Sequence, residues 1–191
     1  METWSDASGF GRHAIGLSAP PPGLPWFVPD QLNGRPVVRF RPDGRGWFTF
    51  PKLTNIRSVF WVLKEASVGE HFLLGDDQTY HFHRGGGGRI WSGAWVSPNV
   101  ANGTTRLMGN VVDGRTTALG GGYRLVSVVT AGDVTASTVT LDRGNVDAQR
   151  AWEGDIAEIL IYSTALTGDE ERRVGSYLTT KYALPANYTY P

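Results

Sequence analysis

The sequence predicts an all-β protein: two antiparallel sheets packed as a sandwich, with one short helix at the C-terminal end. Three observations predict it. Turn signals recur about every 8–12 residues, the spacing of short strands in a sandwich. The chain has 25 Gly and seven Trp in 191 residues, and many glycines with many aromatics suit tight turns around an aromatic-filled core. Helical periodicity is confined to the stretch after residue 166.

The length suits a single domain over residues 1–191 with a sizeable core. Basic and acidic residues number 18 each, for a formal charge of zero. With no basic run, a nucleic-acid partner is not expected. The absence of cysteine excludes a disulfide scaffold, thiolate metal sites and thiol catalysis. No apolar stretch approaches the roughly 20 residues needed to cross a bilayer, so membrane insertion is not expected. No basic patch followed by an apolar run marks a secretory signal at the N-terminus. The chain is therefore expected either to be excised from a larger protein or to reach its site without such a signal.

Residues 2–16 read as a short strand, a turn supplied by Asp6, Ser8, Gly9 and Gly11, and a second strand. The prolines of 18–26 predict an extended surface loop. Strands follow at 36–40 and 47–50 around the turn R-P-D-G-R-G, then at 57–65, an apolar run suited to burial on both faces. Short strands are expected at 71–74 and 79–84, a glycine loop at 85–88, and strands at 90–95, 104–112, 123–130 and 135–141. Strict alternation from Asp155 puts Ile156, Glu158, Leu160 and Tyr162 on one face of a last strand, and Ala157, Ile159 and Ile161 on the other. Thr167 and Glu170 form a capping-box pair, and Pro185 stops the helix they open. Val174, Tyr177, Leu178 and Lys181 recur at helical spacing as its buried stripe, the lysine stem at its edge.

Three stretches also resemble one family. The run G-D-I-A-E-I-L-I-Y-S-T-A-L-T-G-D-E-E, continuing to Y-L-T-T-K-Y, is similar to the C-terminal signature of concanavalin A-like, laminin-G-like jelly-roll domains. W-S-D-A-S-G-F-G-R-H-A at 4–14 and L-N-G-R-P-V-V-R-F at 32–40 resemble its earlier segments, in the family's order. The resemblance implies a jelly roll. It says less about function, because that fold hosts lectins, adhesion modules, glycosidases and virion surface proteins. Family domains carry a strand before the segment that holds Trp4. Here that first strand is expected to be absent or supplied by a neighbouring chain or domain, leaving an open sheet edge for a partner. The proline-rich loop, taken over 18–30, is longer than usual.

Glu153, Asp155 and Glu158 match E-x-D-x-x-E, which resembles the catalytic strand of laminarinase-type glycosidases. There Glu153 would be nucleophile, Asp155 would tune it and Glu158 would be general acid/base, with the carboxyls about 5–5.5 Å apart. Only a β-bulge would bring Glu158 onto the face of the other two, and the alternation argues against one. Non-catalytic members of the family also read G-D-I-A-E. Glu158 is expected to be a structural carboxylate, and no catalytic activity is expected.

His81 and His83, at i and i+2, would share a strand face and could bind a metal or stack on a sugar, with Asp77 nearby in a turn. The bland alternative is a solvated sheet face, and no metal is expected. Trp61, Trp91 and Trp95 are candidate sugar platforms. Trp61 is expected in the core, while Trp91 and Trp95, near glycines, are expected towards the surface, with core packing the alternative. Neither Gly85–88 nor Gly120–122 opens a helix with a lysine at phosphate-loop spacing. No G-x-S-x-G elbow is present. No cofactor is expected. Calcium is the alternative, with Asp76, Asp77 and Asp113 as loop carboxylates that lack a recognisable ligand spacing.

The expectation is a non-catalytic recognition module, extracellular or on a particle surface. Its ligand residues are Trp91, Trp95, His81, His83 and Asp77, and its partner is a glycan or cell-surface polymer. The alternatives are a structural virion protein and a retaining glycosidase.

Overall fold

The apolar runs at 47–50 and 57–65 are one strand. A computed structural model describes residues 1–18, 23–41, 45–76, 81–141 and 150–188, and in it β5 (Gly46–Glu65) continues through Pro51. Proline lacks an N–H, so an unbroken ladder cannot pass through it. The register shifts between Thr49 and Ser58 instead. The expected strands at 123–130 and 135–141 are likewise one, β9 (Arg124–Val139), paired with β5 along both halves. The first half of β5 pairs with β2 (Ala14–Ser18), itself paired with β1 (Thr3–Trp4). Its second half pairs with β10 (Gly154–Tyr162).

The result is mostly β: one branched antiparallel sheet with two α-helices among the described residues. Its main path adds β3 (Trp26–Leu32) and β4 (Arg35–Phe40) outside β10, and β7 (Thr104–Leu107) and β8 (Asn110–Val112) outside β9; β6 (Leu74–Gly75) pairs the end of β9. Phe48, Trp61 and Leu63 of β5 meet Val126, Val134 and Ala136 of β9 in one core. The two halves of the long strands therefore close over each other, and the fold is β-sandwich-like.

Several elements differ from expectation. The loop expected over 18–30 becomes β3 at Trp26; Pro29 is tolerated there because β3 is an edge strand whose register breaks between Val28 and Leu32. The stretch 104–112 is a hairpin, because Met108 and Gly109 both take positive φ and turn the chain. Residues 90–95 are bends and turns, not strand. A short helix, α1 (Pro98–Ala101), precedes residue 166, with Ser97 accepting from the Asn99 N–H and proline in its first turn. Residues 42–44 of the expected hairpin turn, and 79–80 of the expected strand 79–84, lie outside the described residues, while 71–73 and 81–84 hold isolated bridges at Phe72 and His83 rather than the expected strands.

α2 (Gly168–Tyr182) has its capping box and ends at Ala183 in the left-handed conformation. It covers the outer face of the β10–β5–β9 region through Leu178 and Tyr182, against Phe60, Val62 and Leu125. Of the predicted stripe, Leu178 is buried and Val174 packs beside it, but the rest of the buried face is Glu171, Gly175 and Tyr182 in place of Tyr177 and Lys181. Tyr177 is 51% exposed. The helix is turned because the Tyr188 ring packs on Gly175, where a Cβ would lie 2.2 Å from it. Glu171 also turns inward to pair with Arg106, 3.0 Å away.

Candidate functional site

The β10 carboxylates come first. The pairing of β10 with β5 shifts between Ile156 and Glu158, so Ala157 is an extra residue and the strand carries a β-bulge. This corrects the expected alternation. Ile156, Ile159 and Ile161 face the sandwich core, while Ala157, Leu160 and Tyr162 face α2. Past the bulge, Glu158 also faces α2, where its carboxylate oxygens lie 2.9 and 3.1 Å from Lys181 Nζ. Asp155 is buried. It accepts from Arg39 Nε at 2.6 Å, from Arg39 Nη2 at 2.8 Å and from the Tyr123 hydroxyl at 2.6 Å. Burial, and then the Asp155 carboxylate, push the Tyr123 phenol upward, which keeps it a donor.

Glu153 belongs to a different cluster, at the loop end of the sandwich. Its carboxylate accepts from the Ser67 hydroxyl. Ser67 Oγ is 3.4 Å from His71 Nε2, and His71 Nδ1 is 3.1 Å from the Ala151 carbonyl. A carbonyl can only accept, so Nδ1 carries the proton and Nε2 holds the free lone pair. Burial, and then the nearby Arg84 guanidinium, lower the His71 pKa from 6.5 to about 4, so the ring is neutral at pH 7. Beneath it Arg84 pairs with Glu65, donates to the Gly88 carbonyl at 2.8 Å, and lies 5.3 Å from the Trp152 ring centre. A hydroxyl beside a neutral imidazole is the raw material of a nucleophile–base pair. Here the single Ser67 proton goes to Glu153, and Gly69 packs on Nε2. The network ties the loop after β5 to residues 151–153.

The aromatic and histidine candidates separate. Trp91 is buried rather than towards the surface: its indole N–H donates to Thr105 at 2.7 Å and its ring meets Trp61 and Phe82. Gly114 leaves room for it, since a Cβ there would lie 2.3 Å from the Trp91 ring. Trp95 is 52% exposed, in the turn with Gly93 and Ala94. His83 is buried, its ring edge-on to Phe72 and its Nδ1 2.6 Å from the Arg84 carbonyl. His81 instead bonds Thr135 Oγ1 through Nε2 at 2.9 Å, and that hydroxyl donates to buried Asp76. The two imidazoles therefore do not converge on one partner. Asp77 lies outside the described residues. Asp113 is exposed and accepts from the Arg115 N–H at 2.9 Å in a local turn. Among the described residues no group of three or more His, Asp or Glu side chains is placed to hold a metal.

A surface groove not anticipated from the sequence lies beside α2. Arg35, Ser176, Tyr177, Thr180 and Lys181 line an open volume of about 470 Å³. Arg35 follows the β3–β4 turn, in which Asn33 and Gly34 both have positive φ; the Asn-Gly pair is the sequence signal for that tight hairpin. Asn33 Nδ2 donates to the Tyr182 carbonyl, stapling the hairpin to the end of the helix. Lys181 Nζ donates to the Tyr177 hydroxyl at 2.9 Å. Burial acts to lower the Lys181 pKa, but the bonds to Tyr177 and Glu158 outweigh it and raise it, so the ammonium stays charged. Helical spacing alone places Tyr177 on the buried stripe, whereas the rotation of α2 turns it outward into the groove.

Comparison with protein-family models, curated proteins and solved structures finds no match for this chain.

Proposed function

We propose that this chain is a non-catalytic surface-recognition module that binds carbohydrate or cell-envelope glycans, extracellularly or on a particle surface. The observation that carries this reading is the groove beside α2, where a half-exposed aromatic ring stands among hydroxyl and cationic donors. Sugar rings offer C–H faces to an aromatic and hydroxyls to such donors. Trp95 is a second exposed aromatic of the same kind. The architecture we propose is a jelly roll of the concanavalin A-like, laminin-G-like type. Supporting it, the segments that carry the resemblance fall on β1 to β2, on the β3–β4 hairpin, and on β10 with α2. A glycan array screened at high protein concentration is expected to give binding that Tyr177→Ala or Trp95→Ala weakens. A blank array sinks the proposal.

One observation favours a retaining glycosidase as a second reading: the bulge at Ala157 puts Glu158 on the face of β10 that holds Asp155. The partners of the carboxylates weigh against it. Glu158 is held by Lys181 beneath α2, Asp155 by Arg39 and Tyr123, and Glu153 by Ser67 in a separate loop cluster. A retaining pair must instead flank a substrate. No hydrolysis of β-glucans is expected, and hydrolysis abolished by Glu158→Gln would reverse the choice.

A further inference from the structure

We infer that the groove between α2 and the β3–β4 turn takes a hexuronate ring of an acidic saccharide, with Arg35 and Lys181 on its carboxylate and Tyr177 against its C–H face. This rests on the reading of the chain as a glycan-recognition module.

The charge of the groove sets the ligand class. Arg35 is exposed and makes no ion pair among the described residues, whereas Lys181 already faces Glu158. Two cations against one carboxylate leave a single positive charge, which one carboxylate per ring neutralises. A planar guanidinium binds a carboxylate through two parallel N–H bonds, which fixes direction as well as charge. Ser176 and Thr180, one helical turn apart, add hydroxyls that can exchange bonds with the ring hydroxyls.

Three of the last four carbonyls of α2, which would otherwise repel an anion, are already bonded. The last carbonyls of a helix repel negative charge when they are free. Here Thr180 O accepts from the Ala183 N–H, Thr179 O from the Leu184 N–H at 2.9 Å, and Tyr182 O from Asn33. The Arg35 side chain is left for the ligand to order, but the hairpin that carries it is stapled through Asn33, and Lys181 is held by Glu158 and Tyr177. Such pre-organisation reduces the ordering cost of binding.

The test is calorimetric titration of the whole chain with tetragalacturonate and with its methyl ester, which keeps the rings and removes the charges. We expect the acid to bind at least about tenfold tighter than the ester at low salt, with the difference shrinking as salt is raised. Arg35→Gln is expected to abolish that preference while thermal unfolding stays unchanged, since Arg35 is exposed at a hairpin tip. Tyr177→Ala is expected to weaken both ligands. Equal affinity for acid and ester, or a preference that survives Arg35→Gln, overturns the inference. Failure of both probes while neutral glycans bind on the array overturns it too and leaves the recognition reading standing. If no glycan of any kind binds, both fall.

Discussion

His71 is a neutral imidazole whose folded pKa, about 4, lies below its ordinary value of 6.5. Between those values the unfolded chain binds a proton that the folded one refuses, so stability falls as pH drops. The contribution is complete above pH 6.5 and is lost towards about pH 4, an upper bound of about 3 kcal/mol. His81 and His83 are lowered as well, burial being the first cause for each, and act in the same direction. Urea unfolding is expected to give a lower free energy at pH 5 than at pH 7, with His71→Gln reducing the slope. A stability that rises on acidification would refute this account. Asp155 is the second residue-scale case. Asp155→Asn leaves Arg39 facing a neutral partner, and the expected loss is about 2–4 kcal/mol by urea unfolding. Neither role can be read from residue type: Asp155 was legible as one member of a motif, but its partners Arg39 and Tyr123 are far away in sequence. His71 carried no motif at all.

The helix and strand β10 differ in how much of them the chain announces. Both ends of α2 are local events: a hydroxyl and a carboxylate three residues apart cap the start, and a proline two residues past Ala183 forbids continuation. Its rotation is not local. Gly175 faces inward because Tyr188, beyond the helix, needs that space. Gly175→Ala is therefore expected to destabilise the fold by about 1–3 kcal/mol despite the better helix propensity of alanine. A stabilised variant in thermal unfolding would mean that the Tyr188 ring yields. In β10 the apolar alternation is real, but Ala157 is small enough to serve either as an ordinary strand residue or as a bulge. The pairing partner β5 chooses the bulge and so turns Glu158 towards Lys181. Lys181→Met is expected to lower stability more than Glu158→Gln does, because it leaves Glu158 charged beneath the helix without its cation. Equal losses from the two substitutions would argue against the ion pair as the reason.

Over the whole molecule, β5 and β9 run through both halves of the sandwich, so neither half can leave without breaking the other. A single cooperative transition is expected, with far-ultraviolet and tryptophan near-ultraviolet signals coincident in denaturant. Two separated transitions would show that the halves are independent. Most contacts join residues distant in sequence, so folding is expected to be slow for the chain length. What the sequence by itself determined is the strand-rich character, the absence of cysteine chemistry, the capped C-terminal helix and the last strand before it. Each follows from residues a few positions apart, through turn chemistry, capping and alternation. What only the tertiary structure decided is that four expected strands are two long bulged ones, that Trp91 is core and Tyr177 surface, and that Arg35 and Lys181 share a groove. Those outcomes depend on which faces meet. Burial of side chains joins residues across the whole chain, and no local pattern encodes where a distant partner will lie.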